Sequence, residues 1–171
     1  AAQRCIMASL YRNFPKVSIY GEEEEDPNNP IDPDWLELSM SDEVLGMEDK
    51  MPANLKAVKD EECVVWVDPV DGTAEYTQGL LDHVTVLIGI AVNGTAMGGV
   101  IYQPYFNYEA GPDAKLGRCI WGIVGMGAYG FVPTPAPQGE NIITTTRSHP
   151  TQVVQEAIEA CEPSEVLRVG G

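Results

Sequence analysis

The spacing of apolar residues divides the chain into short segments of two kinds. Residues 2–13, AQRCIMASLYRN, place Cys5, Ile6, Ser9 and Leu10 at helical spacing, which predicts a helix closed by Phe14-Pro15. Val17–Tyr20 and Val64–Val67 are rich in β-branched and aromatic residues and read as strands, the second of them buried. A strand from Val84 to Val92, the turn pair Asn93-Gly94 and a strand from Thr95 to Tyr102 form a strong hairpin signal. Cys119 to Val132 reads as one further strand, with glycines at 122, 125, 127 and 130. These last three strands predict an antiparallel sheet covered by helices. The proline-rich stretch Phe131–Pro137 then leads into a second unit, with a strand at Ile142–Thr146, a helix at Thr151–Cys161 and a strand at Val166–Val169. The helix has Val154, Ala157, Ile158 and Cys161 on one face. Strand, helix, strand is the opening of a parallel unit, expected to stop before any parallel sheet is completed. Residues 1–138 are therefore expected to form an α+β domain, and 139–171 the beginning of a truncated α/β domain.

Composition narrows what such a chain binds. With 171 residues and 44% hydrophobic content it can bury one real core. The net charge is −16, and residues 21–62 hold 15 of the 26 acidic groups against only Lys50, Lys56 and Lys59. No basic stripe is available to neutralise a nucleic-acid polymer. A small phosphorylated metabolite escapes this objection, because bound cations invert the local field. Cys5, Cys63, Cys119 and Cys161 form no CxxC pair, which argues against zinc and redox motifs and for free, mostly buried thiols in a reducing compartment. No apolar run approaches the roughly 20 residues that span a bilayer, and no signal peptide opens the chain, so a soluble, cytoplasmic protein is expected. Gly125–Gly130 formally matches a dinucleotide fingerprint, but prolines follow where that motif requires a helix. Asn93-Gly94-Thr95 is better explained as a turn than as a glycosylation sequon.

The candidate chemistry lies in Trp66-Val-Asp-Pro-Val-Asp-Gly-Thr73. Asp68 ends a strand, and Pro69 fixes its own φ and keeps Asp68 out of the helical region, so the chain must turn. Such a turn can bring the Asp68 and Asp71 carboxylates to one side with the Val70 carbonyl between them, an oxygen set suited to Mg²⁺. Gly72 admits a phosphate close to the backbone, and Thr73 opens a short helical stretch, Ala74–Leu81, with free N–H groups at its start. The same residues also make an ordinary surface turn. The hydrophobic strand ahead of them, Thr73 directly after, and Gly21-Glu22-Glu23 at the end of another strand favour a site. Glu23 is the alternative ligand if the register differs by one. Glu24 and Glu25 read as part of a solvated loop.

The GEE and WVDPVDGT segments resemble the inositol-monophosphatase superfamily of Mg²⁺-dependent, lithium-sensitive phosphatases. The run from Trp66 to Arg118, with ITTTRSH at 143–149, is similar to its nucleotidase branch, which removes the 3′-phosphate of adenosine 3′,5′-bisphosphate. The similarity extends from about Arg4 to Gly171. It implies a layered αβαβα sandwich, an enzyme with two or three Mg²⁺ ions, and a small phosphorylated nucleotide, including its sulfated relative, as substrate. Glu22, Asp68 and the Val70 carbonyl would hold one ion, and Asp68 with Asp71 a second. Thr73 would orient the attacking water, Asp71 would share the catalytic role, and the Gly72 and Thr73 amides would hold the phosphate. Thr146, His149, Gly170 and Gly171 match positions that contact the nucleotide. On residues alone His149 is a loop-end histidine, His83 has no role, and Arg147 is a surface ion-pair partner. Relatives also carry an acidic residue before the first helix, a downstream Trp-Asp motif and a nearby basic residue, which this sequence lacks. A truncated piece, weak or inactive alone, is therefore expected. An inositol phosphatase and a non-catalytic metal and phosphate binder stay open as alternatives.

Overall fold

The computed structural model describes residues 2–24 and 30–169. Helix α1, Ala2–Asn13, leads into strand β1, Ser18–Gly21. Its buried positions are Gln3 and Met7, with Ile6 and Leu10 partly buried beside them, so the inward stripe is displaced from the one the apolar spacing suggests. Ser9 instead serves the helix flank, where its hydroxyl donates to the Cys5 carbonyl at 2.7 Å and accepts from the Glu37 amide at 3.0 Å.

Within the acidic segment, residues 30–62 form short turns around a single-turn helix α2, Asp42–Leu45, capped by the Ser41 hydroxyl. It is stitched to the sheet by Glu43, which accepts from the Trp121 indole N–H at 3.2 Å. Strand β2, Cys63–Asp71, runs parallel to β1 with Ser18 opposite Val64 and Gly21 opposite Val67. Only Val65 and Val67 turn inward along the Val64–Val67 run, while Trp66 is 49% exposed and stacks on Tyr20 at 6.4 Å. The strand thus alternates and is half-buried, because α1 covers one face of the sheet here. Helix α3, Thr73–Thr77, is shorter than 74–81, since Gly79 at φ +76° ends it and Leu81–His83 forms a separate turn of 3₁₀ helix.

Strands β3, Thr85–Val92, and β4, Thr95–Gln103, form the hairpin that Asn93-Gly94 announces, with both turn residues at positive φ. The single strand expected at 119–132 is instead two, β5 at Arg118–Ile123 and β6 at Gly127–Tyr129. Gly125 at φ +88° and Gly127 at φ +94° reverse the chain between them, which alternation alone does not reveal. The sheet order is β1-β2-β3-β4-β5-β6, parallel between β1 and β2 and antiparallel elsewhere, a mixed α+β layered arrangement.

After the proline-rich connection, β7, Ile142–Thr146, α4, Gln152–Ala160, and β8, Glu165–Val169, form a separate two-stranded sheet. The two strands do pair in parallel, Ile142 opposite Glu165 through Thr146 opposite Val169, so a minimal parallel pair is complete. Of the expected inward face of α4 only Ile158 is buried, and Ala157 and Cys161 are exposed. The cysteines are free but not mostly buried, with Cys5 and Cys63 partly covered and Cys119 and Cys161 exposed. No helix among the described residues is long and apolar enough to cross a membrane.

Met7, Ile19, Val65 and Val67 form the core that joins α1 to the two parallel strands. Replacing Ile19 with alanine removes its centre, and a loss of about 2–5 kcal/mol in urea unfolding of the full-length protein is expected.

Candidate metal and phosphate site

The parallel ladder does not stop at Gly21. The Glu22 amide donates to the Val67 carbonyl at 3.1 Å, which sets Glu22 beside Asp68 where the β1–β2 pairing ends, three residues before the end of β2 at Asp71. Each carboxylate therefore arrives on main chain fixed by its neighbour. The Glu22 carboxyl is pushed above its ordinary range, chiefly by the charge of Asp68 and then by a hydrogen bond to it, with smaller contributions from burial, Glu23 and Asp71.

Asp71 reaches the same side through an irregularity in β2. Asp68 lies opposite Leu87 and Asp71 opposite Thr85, so three steps along β2 match two along β3. In a regular strand residues three apart face opposite sides, and the extra residue at the bulge restores them to one face. Pro69 lacks the N–H that a regular ladder would need there. The Asp68 carboxylate accepts from the Val70 amide at 3.1 Å, closing a local turn, and the Thr73 hydroxyl donates to the Val70 carbonyl at 3.1 Å. Asp71 accepts from the Thr85 hydroxyl at 3.1 Å. Gly72, at φ +84°, has no room for a side chain unless the main chain shifts, since a Cβ would meet the His83 carbonyl oxygen at 2.9 Å.

The structure thus brings Glu22, Asp68, Val70, Asp71, Gly72 and Thr73 to one end of β1 and β2. The donors are oxygens and the carboxylates crowd one another, a chemistry suited to a hard cation. Among the described residues, however, no three His, Cys, Asp or Glu side chains close into a ready cluster, Asp71 being drawn toward Thr85. Thr146 and His149 also come together, the His149 amide donating to the Thr146 hydroxyl at 3.1 Å. Gly170 and Gly171, expected near the nucleotide, lie outside the described residues.

Two contributors are missed by sequence reasoning. The Gln3 side chain is 1% exposed, donates to the Glu23 carbonyl at 2.7 Å and accepts from the Glu23 amide at 2.8 Å. A Cβ at Gly21 would overlap that amide, so glycine and glutamine fix the path through Glu22 together. The only sequence signal was a polar residue one turn before Met7. The second contributor is Thr85, whose strand-start position carries no signal for a bond to Asp71.

The profile of the inositol monophosphatase family matches residues 1–166. The 3′(2′),5′-bisphosphate nucleotidase 1 of Rattus norvegicus is 55% identical over 169 residues, covering 99% of this chain and 54% of its own. The chain therefore spans about half the length of that relative. An IMPase of Thermotoga maritima shares the fold at a TM-score of 0.60 and 17% identity, covering 99% of this chain and 52% of the other. An IMPase/NADP phosphatase complexed with Mg²⁺ and phosphate does so at 0.57 and 16%, over 99% and 51%.

Two outcomes test the geometry. Gly72→Ala forces a Cβ against the His83 carbonyl and should cost about 1–3 kcal/mol in urea unfolding. Glu22→Gln relieves the carboxylate crowding and should raise the melting temperature of chelator-treated full-length protein, read by calorimetry.

Proposed function

This chain belongs to the inositol monophosphatase family, and from that premise we propose that the full-length protein is a Mg²⁺-dependent phosphomonoesterase that releases the 3′-phosphate of adenosine 3′,5′-bisphosphate. The observation that carries the phosphatase reading is the meeting of Glu22 with Asp68 where the β1–β2 pairing ends, joined by Asp71 across the β2 bulge. Support for the nucleotide comes from 55% identity to a bisphosphate nucleotidase along nearly the whole of this chain. Support for the metal comes from a fold relative described as complexed with Mg²⁺ and phosphate.

In this reading Glu22, Asp68 and the Val70 carbonyl hold one ion, and Asp68 with Asp71 a second. Bound Mg²⁺ supplies positive charge to the phosphoryl group and lowers the pKa of water. The chain's own groups do the rest. Thr73, whose proton is already committed to the Val70 carbonyl, presents its hydroxyl lone pairs to the attacking water. The Gly72 and Thr73 amides face the phosphate, where the left-handed turn at Gly72 bares the main chain. Residues 139–171 are assigned to the beginning of a second domain, in which Thr146, His149 and the Gly170-Gly171 backbone contact the nucleotide.

Phosphate release by the full-length protein with Mg²⁺ tests this directly. Adenosine 3′,5′-bisphosphate should be hydrolysed in preference to inositol phosphates, and Asp71→Asn should lower the rate by about 100-fold or more. Preference for an inositol phosphate would move the assignment to that substrate class. Phosphate-dependent Mg²⁺ binding without turnover would leave a binding protein.

A further inference from the structure

Glu75 is the one buried charged side chain among the described residues, 4% exposed on a helix whose other residues are exposed. Its burial comes from far along the chain. The Arg147 guanidinium donates from Nη2 to Glu75 Oε1 at 3.2 Å, and the Ser148 hydroxyl donates to the same oxygen at 3.1 Å. The carboxylate's own main-chain N–H, then Arg147 and Ser148, hold it below the usual carboxylate range. Arg147, expected as a surface ion-pair partner, thus has a buried partner, and its own side chain is 38% exposed. Its main chain is fixed as well, since the Arg147 amide donates to the Val169 carbonyl at 2.8 Å. One step further, the His149 amide closes onto Thr146. A continuous chain of bonds therefore runs from β8 through the 146–149 turn to α3, two residues from Thr73.

We propose that Glu75 is a positioning residue: it docks the Thr146–His149 turn onto α3, so that recognition of the nucleotide beyond its phosphate depends on a carboxylate that does not touch it. The proposal rests on the phosphatase reading above. The proposed metal and phosphate groups, Glu22, Asp68, Val70, Asp71, Gly72 and Thr73, include neither Glu75 nor Arg147, so the two halves of the substrate should respond differently to its loss. An exposed ion pair would have little leverage of this kind, whereas removing the partner of a buried charge strongly perturbs its surroundings.

The test uses full-length Glu75→Gln, with Ser148→Ala as a milder variant on the exposed side. For Glu75→Gln the KM for adenosine 3′,5′-bisphosphate should rise about tenfold or more with little change in kcat. The kcat/KM for p-nitrophenyl phosphate, which has no nucleoside for the turn to read, should stay within about twofold. Ser148→Ala should move the same KM in the same direction by less, and Arg147→Lys should retain more of the nucleotide preference than Arg147→Gln. Amide hydrogen exchange gives a readout independent of turnover: peptides covering 143–150 should exchange about tenfold faster in Glu75→Gln, with 85–103 unchanged. Unchanged exchange at 143–150 would overturn the docking. Faster exchange with equal losses on both substrates would overturn the role in selection. A wild-type protein that turns over neither substrate would bring down the phosphatase reading, and exchange would still decide whether Glu75 holds the turn.

Discussion

The parallel pairing of β1 with β2 is the constraint from which the site follows. Antiparallel neighbours would bring the end of one strand beside the start of the other. Parallel neighbours run toward the same edge, so Glu22 and Asp68 stand side by side where the β1–β2 pairing ends. Two carboxylates held this way oppose each other, and the pairing tolerates them because Met7, Ile19, Val65 and Val67 hold the strands from beneath. The apolar core and the polar edge are consecutive parts of the same few residues.

A second layer of order lies in how the main chain, and not the side chains alone, is fixed around the carboxylates. The Gln3 amide bonds both the N–H and the C=O of Glu23, and Gly21 leaves the room it needs. Being neutral, this clamp adds no charge to an already crowded place. On the other strand, Pro69 and the bulge do equivalent work by removing a ladder bond and inserting a residue. The Gly72 turn completes it, packed so near the His83 carbonyl that a Cβ would meet it. Histidine 83 thus matters through its backbone, a role that its side-chain chemistry gave no reason to suspect.

What was legible in the sequence was local. Asn93-Gly94 announces its hairpin and Gly72 its left-handed turn because such residues impose the main-chain path within a few bonds, but the turn expected directly after Asp68 is instead a bulge in a strand that runs on to Asp71. The helix over 2–13 has the expected bounds, but its inward face does not follow apolar spacing. Gln3 lies inside because a main-chain partner waits there, and nothing in its neighbours in sequence reveals that partner. The 119–132 run reads as one strand since its alternation survives a reversal made by glycines. Glu75 and Arg147 are 72 positions apart, and only the folded chain brings them into contact.

The position of β1 carries one more consequence. It is the outermost strand of the six-stranded sheet, only four residues long, with Tyr20 facing solvent. Outer strands offer unpaired peptide groups on which a second copy of a protein can zip. Here the strand gives way at once to Glu22, Glu23 and Glu24, in a segment of the chain dense in negative charge. Two such borders repel over roughly a Debye length, about 8 Å at physiological salt. Charge of one sign along such a border works against that pairing, and concentrated electrolyte weakens the repulsion.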